Sequence, residues 1–205
     1  MRVIGEGDLA LAISALEAGD VVAVPTDTVY GLAVLLSLAG VESVYAMKGR
    51  PADLALPVIV GSIEQATDLA AAWPPSADAL ARRFWPGALT LVVAAPPALG
   101  ALVGGPGDSV GLRWPRHGVL NELCAALGPL AVTSANRHGA PPAIEVADVV
   151  RSFGSDGPAV AVDGGRCDGV PSTVADCTAE PVRRLRNGGV PWGAIEAELS
   201  GDSRL

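Results

Sequence analysis

Short apolar runs alternate along this chain with stretches of helical periodicity, and no other feature of the sequence constrains the fold as strongly. An apolar run of about four to eight residues is typical of a buried strand, whereas apolar residues recurring three and four positions apart indicate an amphipathic helix. The two patterns interleave throughout the chain. We therefore predict an α/β fold in which a single domain is built on a twisted mixed sheet flanked by helices.

The predicted strands are apolar runs bounded by Gly, Pro or polar residues. They cover residues 21–24, 56–60, 89–94, 109–113, 129–133, 159–162, 172–176 and 182–185. A first helix is predicted with Asp8 as its N-cap and Gly19 at its end. Further helices are predicted over residues 41–47, 63–72, 76–84, 119–127, 145–153 and 192–199. The Pro- and Gly-rich stretch 96–107 is predicted to be a surface loop, because strand-like sequence follows it directly.

The amino-acid composition limits the classes of protein to which this chain can belong. Half of the 205 residues are apolar, which is enough to build one sizeable core. The formal net charge of −8 argues against a broad nucleic-acid-binding surface, although a local basic pocket is compatible with it. The N-terminal residues lack the apolar region of a signal peptide, and no uninterrupted apolar stretch reaches about 18 residues. We therefore expect a cytoplasmic protein without a membrane segment.

Cysteine, histidine and glycine motifs exclude several chemistries. Cys124, Cys167 and Cys177 form no C-x-x-C pair, so we expect reduced thiols. Because His117 and His138 are the only histidines, no protein-ligated metal site is predicted. The sequence contains neither a Walker A loop nor a G-x-S-x-G turn, which excludes a P-loop NTPase and argues against a serine nucleophile.

Two separated motifs carry groups suited to a phosphate-rich ligand. Lys48-Gly49-Arg50-Pro51 supplies an ammonium and a planar guanidinium, which can hold different oxygens of one polyphosphate. Thr133-Ser134-Ala135-Asn136 follows a strand-like run, whose end would present Ser134 and Asn136 to a cleft. Two structural interpretations stand beside this one. The first motif would then be a surface turn, and Ser134 would be a helix N-cap.

Seven segments of the chain form a longer ordered pattern, in which polar groups follow strand-like runs. The segments are Pro25-Thr-Asp-Thr-Val-Tyr-Gly-Leu32, Lys48-Gly-Arg-Pro51, Phe84-Trp-Pro-Gly-Ala-Leu-Thr-Leu91, Val110-Gly-Leu-Arg-Trp-Pro115, Ser134-Ala-Asn136, Pro171-Ser-Thr-Val-Ala-Asp176 and Leu185-Arg-Asn-Gly-Gly189. In order and local sequence they resemble the threonylcarbamoyl-AMP synthase family. The resemblance implies one YrdC-like domain over residues 1–205, with parallel and antiparallel strands around a central concave cavity and without the extra C-terminal domain of longer relatives.

The resemblance also implies a reaction, in which L-threonine, bicarbonate and ATP give L-threonylcarbamoyladenylate and pyrophosphate. Mg²⁺ would accompany ATP, with no metal bound tightly by the protein itself. The product would pass to a tRNA threonylcarbamoyltransferase complex, and contact with tRNA would be weak or indirect. Two alternatives stay open: a non-enzymatic RNA-binding protein of the same fold, and a carbamoyl-adenylate-forming domain related to hydrogenase maturation.

Site residues are implied at the positions that match the family. The predicted catalytic residues are Lys48, Arg50, Ser134 and Asn136. The predicted ATP-binding residues are these four together with Arg113 and Arg186. The predicted threonine-binding residues are Thr28, Tyr30, His117 and Ser172. The alternative for Tyr30 is a packing role, and the alternative for His117 is a solvated loop position before a helix.

Two stretches depart from the family pattern. Leu54-Ala55-Leu56 stands where many relatives have a polar residue followed by Pro-Leu, so that a polar contact is lost or replaced. Arg137-His138-Gly139 and Pro141-Pro142-Ala143 stand where relatives commonly continue with Ser-Gly and a Ser/Thr-bearing segment. The second departure bears on any ATP contact beyond Asn136.

Overall fold

The structure, a computed structural model, describes residues 1–49, 54–105 and 107–201. Within these ranges the chain forms ten strands and eight α-helices, with 3₁₀ turns at Glu6–Asp8 and Gly154–Asp156. The strands are β1 (Arg2–Gly5), β2 (Val22–Val24), β3 (Gly31–Leu35), β4 (Val58–Ile59), β5 (Leu89–Ala94), β6 (Ser109–Arg113), β7 (Leu130–Ser134), β8 (Val160–Asp163), β9 (Thr173–Asp176) and β10 (Arg183–Arg186). The helices are α1 (Leu9–Glu17), α2 (Leu38–Lys48), α3 (Ile63–Leu69), α4 (Pro75–Phe84), α5 (Pro97–Val103), α6 (Gly118–Leu127), α7 (Val146–Phe153) and α8 (Trp192–Ser200).

The ten strands form one sheet in the order β1-β8-β2-β3-β7-β4-β6-β5-β9-β10. The pairs β1–β8, β8–β2, β4–β6 and β5–β9 are parallel. The other five neighbouring pairs are antiparallel. The predicted α/β class and mixed sheet are therefore confirmed.

Side chains of the central strands alternate between two hydrophobic clusters, one on each face of the sheet. In β8, Ala161 belongs to the first cluster, whereas Val160 and Val162 belong to the second. Strands β2, β3 and β7 divide their side chains in the same way. Burial on both faces explains why these strands are almost uninterrupted apolar runs.

The two clusters differ in how much of the sheet they cover. The first takes residues from six helices, α2 to α5, α7 and α8, and from strands as far apart as β8 and β9. The second takes its helical residues from α1 and α6 alone, and its strand residues from β1, β8, β2, β3, β7 and β4. We call this second side of the sheet the α1/α6 face. Its packed half comprises those six strands, and its open half comprises β6, β5, β9 and β10.

The prediction of a surface loop over residues 96–107 is wrong, because this stretch contains helix α5. Proline is favourable in the first turn of a helix, where an N–H group would have no partner, and Pro97 lies there. The helix ends at Gly104, which has a φ of 80°. A Cβ on Gly100 would lie 2.0 Å from the carbonyl oxygen of Gly107, so the glycine permits a close approach of two backbone segments.

The other differences from the predicted elements are small or local. Helix α1 begins where predicted, but Asp8 belongs to the preceding 3₁₀ turn and its side chain makes no capping hydrogen bond. Strands β1 and β3 were not among the predicted strands. Strand β3 directly follows the turn of residues 26–30. Because β3 pairs with β2 and β7 in the middle of the sheet, this turn lies at one end of the central strands.

Candidate functional site

A cavity of about 480 Å³ lies on the α1/α6 face, over the open half of the sheet. Alternate residues of three strands form its floor: Ser109, Gly111 and Arg113 in β6, Thr90 and Val92 in β5, and Val174 in β9. Ile59 and Val132 belong both to the cavity lining and to the apolar cluster under α1 and α6. The packed half and the cavity are therefore consecutive regions of one sheet face.

Six of the ten predicted site residues line the cavity. They are Thr28, Tyr30, Arg113, Ser134, Ser172 and Arg186. Within the part of the chain that the structure describes, the lining does not include Lys48, Asn136 or His117. Arg50 lies outside the described residues.

Arg113 is buried and holds the turn before β3. Its Nε donates to the carbonyl oxygen of Gly87 at 3.0 Å, and its Nη1 donates to Thr28 Oγ1 at 3.0 Å. Its Nη2 forms an ion pair with Asp27 Oδ1 at 2.5 Å. Burial lowers the pKa of Arg113, and the charge of Arg186 acts in the same direction, whereas Asp27 opposes both. An arginine in this environment still carries its charge at neutral pH.

The turn over residues 26–29 is built around the hydroxyl of Thr26. Thr26 Oγ1 accepts from the backbone N–H groups of Thr28 and Val29, at 2.9 and 3.1 Å. It also donates to the carbonyl oxygen of Val29 at 2.7 Å and lies 2.9 Å from Thr28 Oγ1. Local bonds of this kind stabilise turns formed by threonine. They place Thr28 against Arg113 at the cavity wall.

Arg186 lies at the opposite side of the cavity and contacts Ser172. Its Nε donates to the carbonyl oxygen of Ser172 at 3.0 Å, and its Nη2 donates to Ser172 Oγ at 2.9 Å. Ser172 Oγ in turn lies 2.8 Å from Thr90 Oγ1. No described carboxylate forms an ion pair with Arg186. Burial lowers the pKa of Arg186, although the residue remains exposed at the edge of the cavity.

In the open half of the sheet, the strand pairing places Arg113 and Arg186 at the same height along their strands. Thr90 pairs with Val174, and Val174 pairs with Arg186. Arg113 follows Leu112, whose partner in β5 is the residue after Thr90. A row of side chains thus crosses β6, β5, β9 and β10, with a guanidinium at each end. The arrangement favours a ligand that carries negative charge.

Tyr30 lies against the cavity but is fully buried, and its hydroxyl bonds within the protein. Tyr30 Oη donates to the carbonyl oxygen of Gly165 at 2.8 Å and accepts from the N–H of Gly164 at 3.2 Å. Burial raises the pKa of Tyr30 to about 12. Tyr30 therefore anchors the connection between β8 and β9, which continues to Ser172. These contacts fit the packing alternative for its hydroxyl.

Lys48 joins the two motifs that the sequence singled out. It lies in the last turn of α2, which ends at Gly49 with a φ of 61°. Its ammonium donates to the carbonyl oxygen of Ser134, to the carbonyl oxygen of Asn136 at 2.8 Å and to Asn136 Oδ1 at 3.2 Å. The side chain is only 3% exposed. A cation at a helix C-terminus is also favoured by the helix dipole.

Ser134 ends strand β7 and is not a helix N-cap. Its hydroxyl donates to Asn136 Oδ1 at 2.6 Å. The Nδ2 group of Asn136 donates to the carbonyl oxygens of Arg137 and Ala140, at 3.0 and 2.6 Å. Because Asn136 also accepts from Lys48, its amide is fully engaged in shaping the loop after β7.

His117 occupies the position directly before α6 that its loop alternative expected, but its side chain is half-buried and not solvated. Its side chain is 17% exposed, and its Nε2 lies 3.9 Å from Glu6 Oε1. Its buried Nδ1 has no hydrogen-bond partner among the described residues. Burial lowers the pKa of His117, and Glu6 and Asp27 oppose that shift.

Two features of the site were missed from the sequence. Asp27 lies in a matching segment to which the sequence assigned it no role, but it pairs with Arg113. Thr90 was part of a matching segment with no role assigned, yet it lies on the cavity floor. Its signal was a single threonine within the apolar strand Leu89–Ala94. The family departures also border the site, since Ala55, Leu56 and Pro142 line the cavity.

The described residues hold no group of three or more His, Cys, Asp or Glu side chains arranged to bind a metal ion. Over the same residues, none of the helices is long and apolar enough to cross a membrane.

Comparison with known proteins places the chain among relatives of this fold. A family model for Sua5, YciO and YrdC, described as "Telomere recombination", matches residues 14–188. The threonylcarbamoyl-AMP synthase of Bacillus subtilis is 40% identical over 196 residues, covering 93% of this chain and 56% of its own length. The threonylcarbamoyl-AMP synthase of Chromohalobacter salexigens is 35% identical over 185 residues, covering 86% of this chain and 96% of its own length.

A solved structure supports the same relationship. Pyrococcus abyssi Sua5 complexed with L-threonine matches with a TM-score of 0.92 and 36% sequence identity, covering 97% of this chain and 61% of the other. This chain therefore spans little more than half of some relatives and nearly all of another. The matched region includes the cavity and both motifs. The chain belongs to the Sua5/YciO/YrdC family.

Proposed function

We propose that this chain is an L-threonylcarbamoyladenylate synthase, which converts L-threonine, bicarbonate and ATP to threonylcarbamoyl-AMP and pyrophosphate. The observation that carries the proposal is one cavity in which Arg113 and Arg186 lie beside the hydroxyls of Thr28 and Ser172. Guanidinium groups bind carboxylate and phosphate oxygens, and hydroxyls recognise the polar groups of an amino acid. Relatives at 35% and 40% identity bear the name threonylcarbamoyl-AMP synthase, which supports the same activity.

The reaction depends mainly on positioning and charge neutralisation. The amine of threonine adds to the carbon of bicarbonate, and loss of water gives a carbamate. A carbamate oxygen then attacks the α-phosphorus of ATP, and pyrophosphate leaves with the bonding electron pair. Neither step needs a nucleophile from the protein, so aligned substrates and fixed cations provide the expected catalysis.

The two arginines would have different tasks. Arg186 has guanidinium donors left over after its contacts with Ser172, so it would bind an oxygen of ATP directly. Arg113 has contacts with Asp27, Thr28 and Gly87 already. It would hold the turn of Thr28 in place while its charge stabilises an anionic group in the cavity.

Lys48 and Asn136 would act together at the end of β7. To grip the phosphates, the Lys48 ammonium would exchange one of its carbonyl contacts for a phosphate oxygen. Ser134 already borders the cavity and would fix the nucleotide beside them. Arg50 would supply a second cation, and this role remains a prediction from the sequence.

The threonine side of the cavity would rest on hydroxyl groups. Thr28 and Ser172 line it and can bind the threonine hydroxyl, which allows the site to reject an analogue that lacks this group. Tyr30 would act by holding the connection that carries Ser172. His117 remains a predicted threonine-binding residue, which would have to act from beyond the described lining.

Mg²⁺ would enter the site with ATP. This ion prefers oxygen ligands and is usually held through substrate phosphates and water, with one or two carboxylates. The carboxylate of Asp27 already pairs with Arg113, so phosphates and water would supply most ligands. When bound, the ion would neutralise phosphate charge.

A further enzyme would need to use the product soon after it forms, because a mixed anhydride hydrolyses readily. We propose that a separate tRNA threonylcarbamoyltransferase complex takes it, with weak or indirect contact between this chain and tRNA. The net charge of −8 supports this division of work. The cytoplasm is the proposed compartment for both steps.

Pyrophosphate release tests the proposed function. The chain is incubated with MgATP, L-threonine and bicarbonate, and each component is omitted in turn. We expect release only when all are present, together with a product of the mass of threonylcarbamoyl-AMP. Release that is indifferent to threonine would reject the proposal. Replacing threonine and bicarbonate with carbamoyl phosphate tests the carbamoyl-adenylate alternative in the same assay.

A further inference from the structure

Thr90 lies on the cavity floor, but none of the contacts expected with ATP or threonine gives it a role. It lies in the middle of the row that runs from Arg113 to Arg186, and it is only 6% exposed. Its Oγ1 is 2.8 Å from Ser172 Oγ, and Ser172 Oγ accepts from Arg186 Nη2 at 2.9 Å. A threonine hydroxyl of β5, the serine hydroxyl directly before β9 and a guanidinium of β10 thus form a hydrogen-bonded chain.

Counting donors and acceptors shows what this chain offers a ligand. If Thr90 donates to Ser172, the Ser172 hydroxyl proton is left to point into the cavity. If Ser172 donates to Thr90, the Thr90 proton is left instead. In both cases one O–H donor remains available beside Arg186, which keeps three of its five N–H donors after its two bonds to Ser172. The combined group presents one O–H donor and the remaining guanidinium N–H donors, which suits an anionic oxygen.

The methyl group of Thr90 lies beside Gly111. A Cβ built on Gly111, in the neighbouring strand β6, would lie 3.3 Å from Thr90 Cγ2. The methyl therefore occupies the space that a side chain at Gly111 would need. Thr90 is β-branched and therefore has few rotamers at χ1, and the contact of its hydroxyl with Ser172 restricts it further.

We propose that Thr90 is a positioning residue of this site, whose hydroxyl fixes the Ser172 hydroxyl and, through it, the Arg186 guanidinium against an anionic group of the bound substrate. The inference rests on the proposed function for the identity of that substrate. Thr90 acts through Ser172, so its contribution disappears when the Ser172 hydroxyl is removed.

Thr90→Val removes the hydroxyl and keeps the branched shape. We expect it to weaken binding of either MgATP or L-threonine by about tenfold, the effect of losing one net hydrogen bond in the site. Binding of each ligand is measured by calorimetry, and KM and kcat are measured by pyrophosphate release. A merely structural role would lower the amount of active enzyme and leave the dissociation constant and KM unchanged.

Two comparisons make the test specific. Thr90→Ser retains the hydroxyl and should recover most of the lost affinity. In a Ser172→Ala background, Thr90→Val should have little additional effect, because the group through which it acts is gone.

Thr173→Val is the matched control. Thr173 is a buried threonine in β9, but its hydroxyl bonds with Val190 and it is absent from the described cavity lining. Its loss should reduce stability without changing the dissociation constant or KM.

The outcomes separate this inference from the proposed function. Unchanged ligand affinity in Thr90→Val, failure of Thr90→Ser to recover it, or an undiminished effect in the Ser172→Ala background would each overturn the positioning role. A parent chain that binds MgATP and threonine but forms no threonylcarbamoyl-AMP would reject the proposed function while the binding comparison still tests Thr90. A parent chain that binds neither ligand would overturn both.

Discussion

The packed and open halves of the α1/α6 face share one sheet but carry different side chains. In the packed half, inward residues such as Val22, Val160 and Leu130 lie under α1 and α6. In the open half, the corresponding positions include Thr90 and Arg113. The backbone alternation is the same in both, so the difference lies in the residue types at alternate positions.

This difference explains where the cavity forms. A helix packed over the open half would remove the charge of Arg186 from water without supplying an anionic partner, which is costly. Apolar positions in the packed half gain free energy from the same cover. The polar residues at alternate positions therefore keep the open half accessible to a ligand, and the apolar residues of the packed half provide its rigid support.

The largest effect is expected from removing Arg113, which supplies buried charge to the open half. Arg113→Ala should lower kcat/KM by on the order of 10²–10³, because a fixed electrostatic group and the support of Thr28 are lost together. It should also lower the free energy of unfolding by about 3–5 kcal/mol, since Asp27 is left without its cation. Pyrophosphate release and urea unfolding measure the two effects.

Two variants distinguish these consequences of losing Arg113. The double variant Arg113→Ala/Asp27→Asn should recover much of the stability but not the activity. The exposed neighbour Arg116 is the matched control, and Arg116→Ala should leave both measurements close to those of the parent. Equal losses in the two single variants would show that the position of Arg113 in the row has no special importance.

A smaller but still large effect is expected at Lys48, the only lysine of the chain. Lys48→Met keeps an unbranched stem but removes the donors to Ser134 and Asn136. We expect kcat/KM to fall by about 100-fold, if the ammonium contacts phosphate as well as the loop. The free energy of unfolding should fall by only about 1–3 kcal/mol. A loss of stability with unchanged kcat/KM would confine Lys48 to shaping the loop after β7.

The packed half should respond in the opposite way. Leu123 of α6 is fully buried against the sheet. Leu123→Ala should lower the free energy of unfolding by about 2–5 kcal/mol, because the smaller side chain leaves a cavity. KM should not change, because no atom of the open half is removed. Leu38→Ala, at an exposed position of α2, should cost far less stability. A raised KM in Leu123→Ala would contradict the separation of support from binding.

Local sequence patterns predicted much of this fold, because the packed and open halves of the α1/α6 face differ in sequence as well as in structure. Strands β5 and β6 have the predicted bounds, since β5 is a β-rich apolar run and β6 alternates apolar residues with small or polar ones. Helix α5 escaped prediction because its prolines and glycines are typical of loops, while its close contact between Gly100 and Gly107 arises only in the folded chain.

The site was predictable to the extent that its groups follow strands. Lys48 and Ser134 were expected in one site, and the structure joins them directly. The ion pair between Asp27 and Arg113 and the contact between Thr90 and Ser172 depend on which strands become neighbours. No local periodicity contains that information, because strand order in a mixed sheet is set by long-range packing.

The smallest expected effect is a pH dependence at the boundary of the two halves. His117 directly precedes α6 of the packed half, while Asp27, which acts on its charge, pairs with Arg113 of the open half. Burial lowers the pKa of His117 in the folded chain, so the unfolded chain binds its proton more readily. Stability from the neutral imidazole is therefore present above the unfolded pKa of about 6.5 and is lost as the pH falls towards and through the lower folded value.

Replacing His117 should remove this part of the acid sensitivity. The free energy of unfolding is measured by urea titration at about pH 7.5 and pH 5.5, which lie on either side of the unfolded histidine pKa. We expect the difference between the two pH values to be smaller in His117→Gln than in the parent. His138→Gln, at an exposed position, should keep the parent's difference. If His117→Gln also kept it, His117 would not be the source of the acid sensitivity. Asp148 and Asp176 would not explain it either, because hydrogen bonds and ion pairs lower their pKa values, and their contribution to stability is lost only as the pH falls towards and below the unfolded aspartate pKa of about 3.9.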